Sequence, residues 1–419
     1  MSDTRRWAVL GLVFLGILIS YVDRGNASIV AVPLMKEFAL SPAQMGLLMS
    51  SFFWTYAAFQ VPAGYLIDRF GLRAAYTVAL VAWSIACAST AWATSFTQLI
   101  LLRLLLGMGE AVSPLASLNF IKQNFEEKRQ GLPTSIYIAG LTAGPAVGAF
   151  LGGRLLDEFG WRQVFLLTGA AGLLWALPWW MLAPSGRPNA ASSTEPVAAL
   201  PLRQLLRSPV ILALWAAVFF YSYFWYFVLS WVPPYLVLTH GFTSREMGDT
   251  VARALFCMAL VNLAAGTAAD WVIKKTGGSA LRWRKAFVLT GFLCASSLLL
   301  MPWMTSRAAV VWLMTGAMTT LGSAAGNFWA LSQMSAPKEL GGRVMGLQNT
   351  IAQLAGIAAP SLTGFLLGPE KNFTVAILIA GAGPLIAAAC VLAGIHERGV
   401  AELHAGLAAS PERAAGHAA

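Results

Sequence analysis

Twelve apolar stretches limit what this chain can become. They lie near 7–34, 44–67, 74–93, 97–120, 133–155, 162–183, 209–237, 246–272, 284–305, 308–331, 343–367 and 373–394. About 20 apolar residues suffice for a helix to cross the hydrocarbon of a bilayer, and each stretch meets that length. No water is available there to satisfy a bare backbone, so long apolar spans of this kind must be helical. Only 11% of the 419 residues are charged and 58% are hydrophobic, whereas a soluble chain carries about 25% charged residues. The first stretch is too long for the core of a signal peptide and stays as a span. The expected fold class is an all-α membrane protein with twelve transmembrane helices.

Lys and Arg orient it. One set of loops, with both termini, carries nineteen of them, including Arg5, Arg6, Arg69, Arg73, Lys122, Arg187, Arg203, Lys274, Arg284, Lys338 and Arg413. The other set carries six: Lys36, Arg154, Arg162, Arg245, Arg307 and Lys371. The positive-inside rule then places both termini in the cytoplasm, and the expected location is the inner (plasma) membrane. The net charge of +10 therefore orients the protein and meets anionic lipid headgroups. It does not form a nucleic-acid surface. Cys87, Cys257, Cys294 and Cys390 lie in separate apolar runs without metal spacing and read as small hydrophobes. No histidine lies inside an apolar run, which disfavours a histidine proton relay. No nucleophile–base pair or metal cluster is visible, so neither an enzyme, a metal site nor a cofactor is expected.

The two halves repeat. Gln44-Met45-Gly46 returns as Glu246-Met247-Gly248, Ala63-Gly64 as Ala265-Gly266, and Asp68 as Asp270, all at an offset of 202. Residues 184–209 have the composition of a linker. The expected organisation is an N-terminal six-helix bundle (1–186), a cytoplasmic linker (187–208), a C-terminal six-helix bundle (209–395) and a cytoplasmic tail (396–419), polar and Ala-rich and expected to be disordered. Two pseudo-symmetric bundles with a site between them is a recognised transporter plan.

Charges inside the spans mark the site. Asp23 and Arg24 stand side by side in the first span, within Tyr21-Val22-Asp23-Arg24-Gly25-Asn26. A charge near the bilayer centre costs roughly 2.5 kcal/mol or more, so it faces protein or a water-filled cavity. A purely structural ion pair is the bland alternative. In the fourth span, Arg103 and Glu110 are seven residues apart. Two turns put them on nearly one face, about 10 Å apart. Arg103 can hold Glu110 indirectly or hold Asp23 across the bundle, and an acid in an apolar setting suits proton carriage. A static buried ion network would look the same in sequence. Arg253, inside the eighth span, is either a second anion contact or a side chain snorkelling to the surface, the second being favoured. At the end of the second span, Asp68, Arg69 and Arg73 form a charged loop whose weaker partner follows Asp270. A charge latch between helix ends, made in one conformation and broken in the other, is the expected role.

Tyr-x-Asp-Arg-x-Asn at 21–26, Arg-x6-Glu-Ala at 103–111, Ser41-Pro42-Ala43-Gln44-Met45-Gly46, and Gly64 to Arg73 resemble the anion:cation symporter family of the major facilitator superfamily. Galactonate, glucarate, sialic-acid and vesicular glutamate transporters belong to it. The resemblance covers nearly the whole chain. It implies that Asp23 and Glu110 take part in proton coupling with Arg103 in support. It also implies that Arg24 faces the substrate carboxylate, and that Tyr21, Tyr56, Trp329 and Asn349 line the site. Spacing agrees in part, since Tyr21 and Arg24 share a helix face, as do Tyr56 and Gln60, Ser323 and Asn327, and Asn349 and Gln353. Asn327 joins the candidate substrate contacts. Two departures stand out: Gly326, Asn327 and Phe328 replace the hydroxyl residues of sugar-acid members, and Leu141 and Thr142 stand near their fifth-span Gln. Together with the aromatic run of the seventh span, from Phe219 to Phe227, they favour an aromatic or sparsely hydroxylated acid. Gly140 to Gly148, with Pro145, resembles the Gly-Pro motif of drug antiporters or is simple close packing, the second being favoured.

The expected function is proton-coupled import of a small organic carboxylate by alternating access, driven by the proton gradient, in a protein that works as a monomer. Anion exchange is the alternative. A transport-dead sensor on the same fold would be expected to lose the coupling carboxylates, and both are present.

Overall fold

A computed structural model describes residues 1–185, 205–337 and 340–408. The expected linker, apart from 205–208, lies outside the described residues, as do Lys338 and the end of the tail with Arg413. Twelve long helices run through the described chain: α1 Asp3–Ile29, α2 Pro42–Phe70, α3 Leu72–Trp92, α4 Phe96–Asn124, α5 Gly131–Phe159, α6 Trp161–Leu182, α7 Pro209–His240, α8 Ser244–Thr276, α9 Ala280–Trp303, α10 Arg307–Ser335, α11 Gly341–Leu367 and α12 Thr374–Gly394. Eleven are long and apolar enough to cross a membrane. The other, α2, has 29 residues but carries Gln44, Ser50, Ser51, Thr55 and Gln60 on the way. The tail departs from expectation: Glu397–Ala408 is a helix, α13. It is tied by an Arg398–Glu402 hydrogen bond and by His404, which bonds the Ser335 carbonyl at 3.3 Å.

Local chemistry explains where the helices start and stop. Ser41 and Gln44 cap α2 reciprocally, and Thr243 and Glu246, at the same offset of 202, do so for α8. A single glycine joins α2 to α3 and another joins α5 to α6, Gly71 at φ 81° and Gly160 at φ 82°. Both stand in the pattern Asp-x-Phe-Gly-x-Arg (68–73 and 157–162), and only glycine takes that backbone without a Cβ penalty. Basic residues also cap carbonyls at helix ends, where the macrodipole is negative. Arg5 Nε donates to the Leu182 carbonyl at 2.8 Å, and Lys285 Nζ donates to the Leu392 carbonyl at 2.9 Å.

The described chain forms two compact units. The first joins the first half of the chain to Tyr226–Phe256 and Gly356–Ala376. Glycines build its crossings. Gly140, Gly144, Gly148 and Gly152 of α5 lie against α1, and a Cβ on Gly144 would come within 2.5 Å of Tyr21 Cβ. This is the packing role of that stretch. Gly46 of α2 meets Gly364 of α11, and Gly153 of α5 meets Gly248 of α8, backbone against backbone. An Arg154–Asp249 ion pair closes beside the second crossing. The other unit holds Cys257–Ala355 with the segments that end at Trp225 and begin at Ile377. Its core packs Tyr221, Phe292 and Phe328 with tilted rings and centroids 5.4–6.0 Å apart. No member of the Phe219–Phe227 aromatic run is exposed.

Candidate functional site

Two prolines shape the site. A proline ring clashes with the carbonyl four residues earlier. Pro114 therefore breaks α4 at Ala111, so Glu110 ends one helical segment and Val112 begins the next. Pro33 does the same for α1, which stops at Ile29 before the short helix Ala31–Glu37.

Glu110, fully buried, receives three hydrogen bonds on one oxygen. Arg24 Nη2 donates to Oε2 at 3.0 Å, Arg24 Nε at 3.3 Å and Ser20 Oγ at 2.7 Å. Its other oxygen, Oε1, makes no hydrogen bond. Ser20 lies one turn before Arg24, so both reach the same face of α1. The Arg24 guanidinium is boxed by rings, with the centroids of Tyr21, Phe52 and Tyr56 at 4.5, 4.6 and 4.8 Å. Cation–π contact of this kind holds a guanidinium in place while leaving its N–H edge for an oxyanion. That edge is now on Glu110.

Asp23, also fully buried, turns to the opposite side of α1. The Cys87 thiol donates to Asp23 Oδ1 at 3.3 Å and lies 3.4 Å from Thr168 Oγ1. Asn26 Nδ2 donates to Thr168 at 2.8 Å. Trp83 turns its indole toward Asp23 without completing a hydrogen bond of normal geometry, and Oδ2 has none. Cys87 is thus a polar partner of the acid and not the small hydrophobe its apolar run suggested. Arg103 binds neither carboxylate through a hydrogen bond. It donates to the backbone carbonyls of Asp23 at 3.4 Å and Arg24 at 3.1 Å, tethering α1 itself.

The second-half candidates lie in the other unit. Asn327 is buried and committed: its Oδ1 accepts from Arg284 Nη1 at 3.0 Å and its Nδ2 donates to the Ser323 carbonyl at 3.0 Å. Arg284 also pairs with Asp270. Asn327 is therefore part of the Asp270 network, a position the sequence reading had given to substrate. Trp329 is half-buried, and Asn349, also half-buried, accepts from Gln353 at 3.5 Å. Phe328 and Gly326 do not signal an apolar pocket. Phe328 is buried in the aromatic core, and the Gly326 amide donates to Asn262 Oδ1 at 2.8 Å. Asp68 is exposed with no ion pair among the described residues, Arg69 bonds the Tyr65 hydroxyl at 3.1 Å, and Arg73 lies over Trp180 at 4.7 Å. Arg253 is exposed. Among the described residues no group of three or more His, Cys, Asp or Glu could hold a metal ion.

Ser20, Phe52, Cys87, Thr168 and Arg284 belong to these networks and were not singled out as site residues in the sequence. Helical spacing from Arg24 points to Ser20. The others are distant in sequence and carry no local signal.

Helices long and apolar enough to cross a membrane, packed around buried charge, are the frame of a membrane protein, and comparison makes the assignment specific. The sequence matches the Major Facilitator Superfamily over residues 13–360, and the chain belongs to that family. It is 30% identical to the hexuronate transporter of Bacillus subtilis (strain 168), over 94% of this chain and 95% of that one. It is 27% identical to a probable galactarate/D-glucarate transporter of Escherichia coli (strain K12), over 92% and 94%. The fold matches a bacterial homolog of the human lysosomal transporter Spinster, with a TM-score of 0.74 at 20% identity, over 97% of this chain and 96% of that one. The fold is the major facilitator one, and it is all-α.

Proposed function

We propose that this protein imports a small organic carboxylate, a sugar acid, by proton-coupled alternating access across the inner membrane, with both termini cytoplasmic. The observation that carries this reading is the Arg24–Glu110 pair inside its aromatic box. A substrate carboxylate and Glu110 compete for one guanidinium edge. Protonation removes the charge from Glu110 and releases that edge, which then takes the substrate carboxylate bidentately. Substrate and proton are therefore bound together. Loss of the proton restores the internal pair and expels the anion. Asp23 serves as the second coupling acid on the far side of α1, and Arg103 links both by its hold on the α1 backbone. Tyr21 and Tyr56 form the wall of the Arg24 site, and Trp329 and Asn349 are further candidate substrate contacts. Asp68, Arg69, Arg73 and Asp270 act as the latch. The chain works as a monomer, with protons and membrane lipids as its other partners.

The named relatives support a sugar acid. An apolar acid is favoured in the sequence by Gly326, Phe328 and the aromatic run of the seventh span; of these, Phe328 is packed in the aromatic core with Tyr221 and Phe292. A thermal-shift screen of purified protein against D-glucuronate, galactonate, glucarate and benzoate tests the choice, because a ligand of the folded state raises its stability by mass action. The expected result is a shift with at least one sugar acid and none with benzoate. Uptake of that ligand into proteoliposomes should then follow an imposed inward proton gradient without anion inside. Uptake that requires a counter-anion inside and ignores the gradient would establish exchange instead.

A further inference from the structure

Phe53 does not belong to the box around Arg24, yet it ends a seam that leads to it. The seam begins where Gly46 of α2 crosses Gly364 of α11; a Cβ on Gly46 would lie 2.4 Å from the Pro360 carbonyl oxygen. Two turns further along α2, Phe53 meets Gly356 of α11. A Cβ on Gly356 would lie 2.7 Å from Phe53 Cδ1, so the ring occupies the hollow that the missing side chain leaves. Phe53 is buried, edge-on to Tyr226 of α7 at 4.7 Å and to Phe52 at 5.1 Å. Phe52 in turn stacks on Tyr56 at 5.3 Å and faces the Arg24 guanidinium. One ring thus fills the space where α2, α7 and α11 converge, directly beyond the rings that hold Arg24.

We propose that Phe53 is the plug that closes the Arg24 site toward the side bearing Lys36 and Arg154, and that Gly356 is the notch that seats it. A plug needs bulk, no polar group to desolvate, and a socket that fits it only when the helices are together. Phe53 and Gly356 meet each requirement. When α11 moves off α2, the ring loses its socket and the path to Arg24 opens. The proposal rests on Arg24 being the anion site, but its test does not require a substrate.

The test is accessibility. Tyr56→Cys is introduced with Cys257, Cys294 and Cys390 changed to Ser, leaving only the buried Cys87. A membrane-impermeant maleimide is applied to right-side-out vesicles. Phe53→Ala should raise the labelling rate about tenfold or more by shifting the closed population. Gly356→Val, which keeps the ring but fills its notch, should raise it too. Phe53→Ala with Gly356→Phe, which supplies a ring from the other helix, should bring the rate back toward the parent. Labelling of Phe53→Ala at the parent rate overturns the proposal, and so does no effect of Gly356→Val. An equal rise in inverted vesicles also overturns it, since that is general loosening. If Arg24 is not the anion site, uptake tests fail while the labelling pattern stands.

Discussion

Asp23 and Arg24 are neighbours in the chain and occupy different worlds in the fold. Arg24 is boxed by rings and ion-paired to Glu110. Asp23 faces a thiol, a threonine and an indole, with no guanidinium on its carboxylate. A helix turns about 100° per residue, so adjacent residues are bound to face different helices. The difference separates two tasks that the sequence presents as one. The Arg24 side can exchange one carboxylate for another, because its partner is a carboxylate. The Asp23 side has nothing for an anion to replace. Charge there can change only by a proton or by movement of Arg103.

The largest expected effect comes from neutralising each acid. Glu110→Gln and Asp23→Asn should both abolish accumulation driven by a proton gradient. They should differ in binding. Glu110→Gln releases Arg24, so anion affinity measured by calorimetry should rise by roughly tenfold, as expected when a competent state goes from minor to dominant. Asp23→Asn does not touch Arg24 and should leave affinity unchanged. Equal affinities in the two variants would erase the distinction between the faces of α1.

Arg24→Lys comes next. Lys keeps the charge but offers a point donor where the planar fork grips two oxygens, so affinity should fall by about ten- to a hundredfold. Wild-type affinity in Arg24→Lys would remove the clamp from the proposal.

The smallest effect is expected at an ion pair that is closer but exposed. Arg162 Nη2 lies 2.6 Å from Glu37, nearer than Arg24 is to Glu110, yet both of its side chains are 40% or more exposed. Water screens it, and removing such a pair costs about 1 kcal/mol or less. Glu37→Gln should lower the melting temperature by less than about 2 °C. The Arg162 guanidinium and the Trp161 indole N–H hold the Glu37 carboxyl below its ordinary value of 4.5. A depressed carboxyl stabilises the fold above that value and loses the contribution as pH falls through its lower folded value. The gap between wild type and Glu37→Gln should therefore persist at neutral pH and close in acid. A gap that widens in acid would contradict the sign.

The long helices and the repeat of Gln44 as Glu246 were legible because each depends on local chain chemistry: apolar length and residue spacing at a constant offset. The membrane forces backbone hydrogen bonds to close within each segment, so composition and spacing decide those features before any helix meets another. The intramembrane charges were legible for the same reason, as residues too costly to leave in lipid. Their partners were not. That Arg103 grips the α1 backbone, that Cys87 serves Asp23, that Asn327 belongs to Arg284, and that Phe53 sits in the hollow of Gly356 are all long-range facts. They depend on which helix faces which at a given depth. Packing of whole helices decides that, because a buried polar group takes whatever partner the neighbouring helix presents.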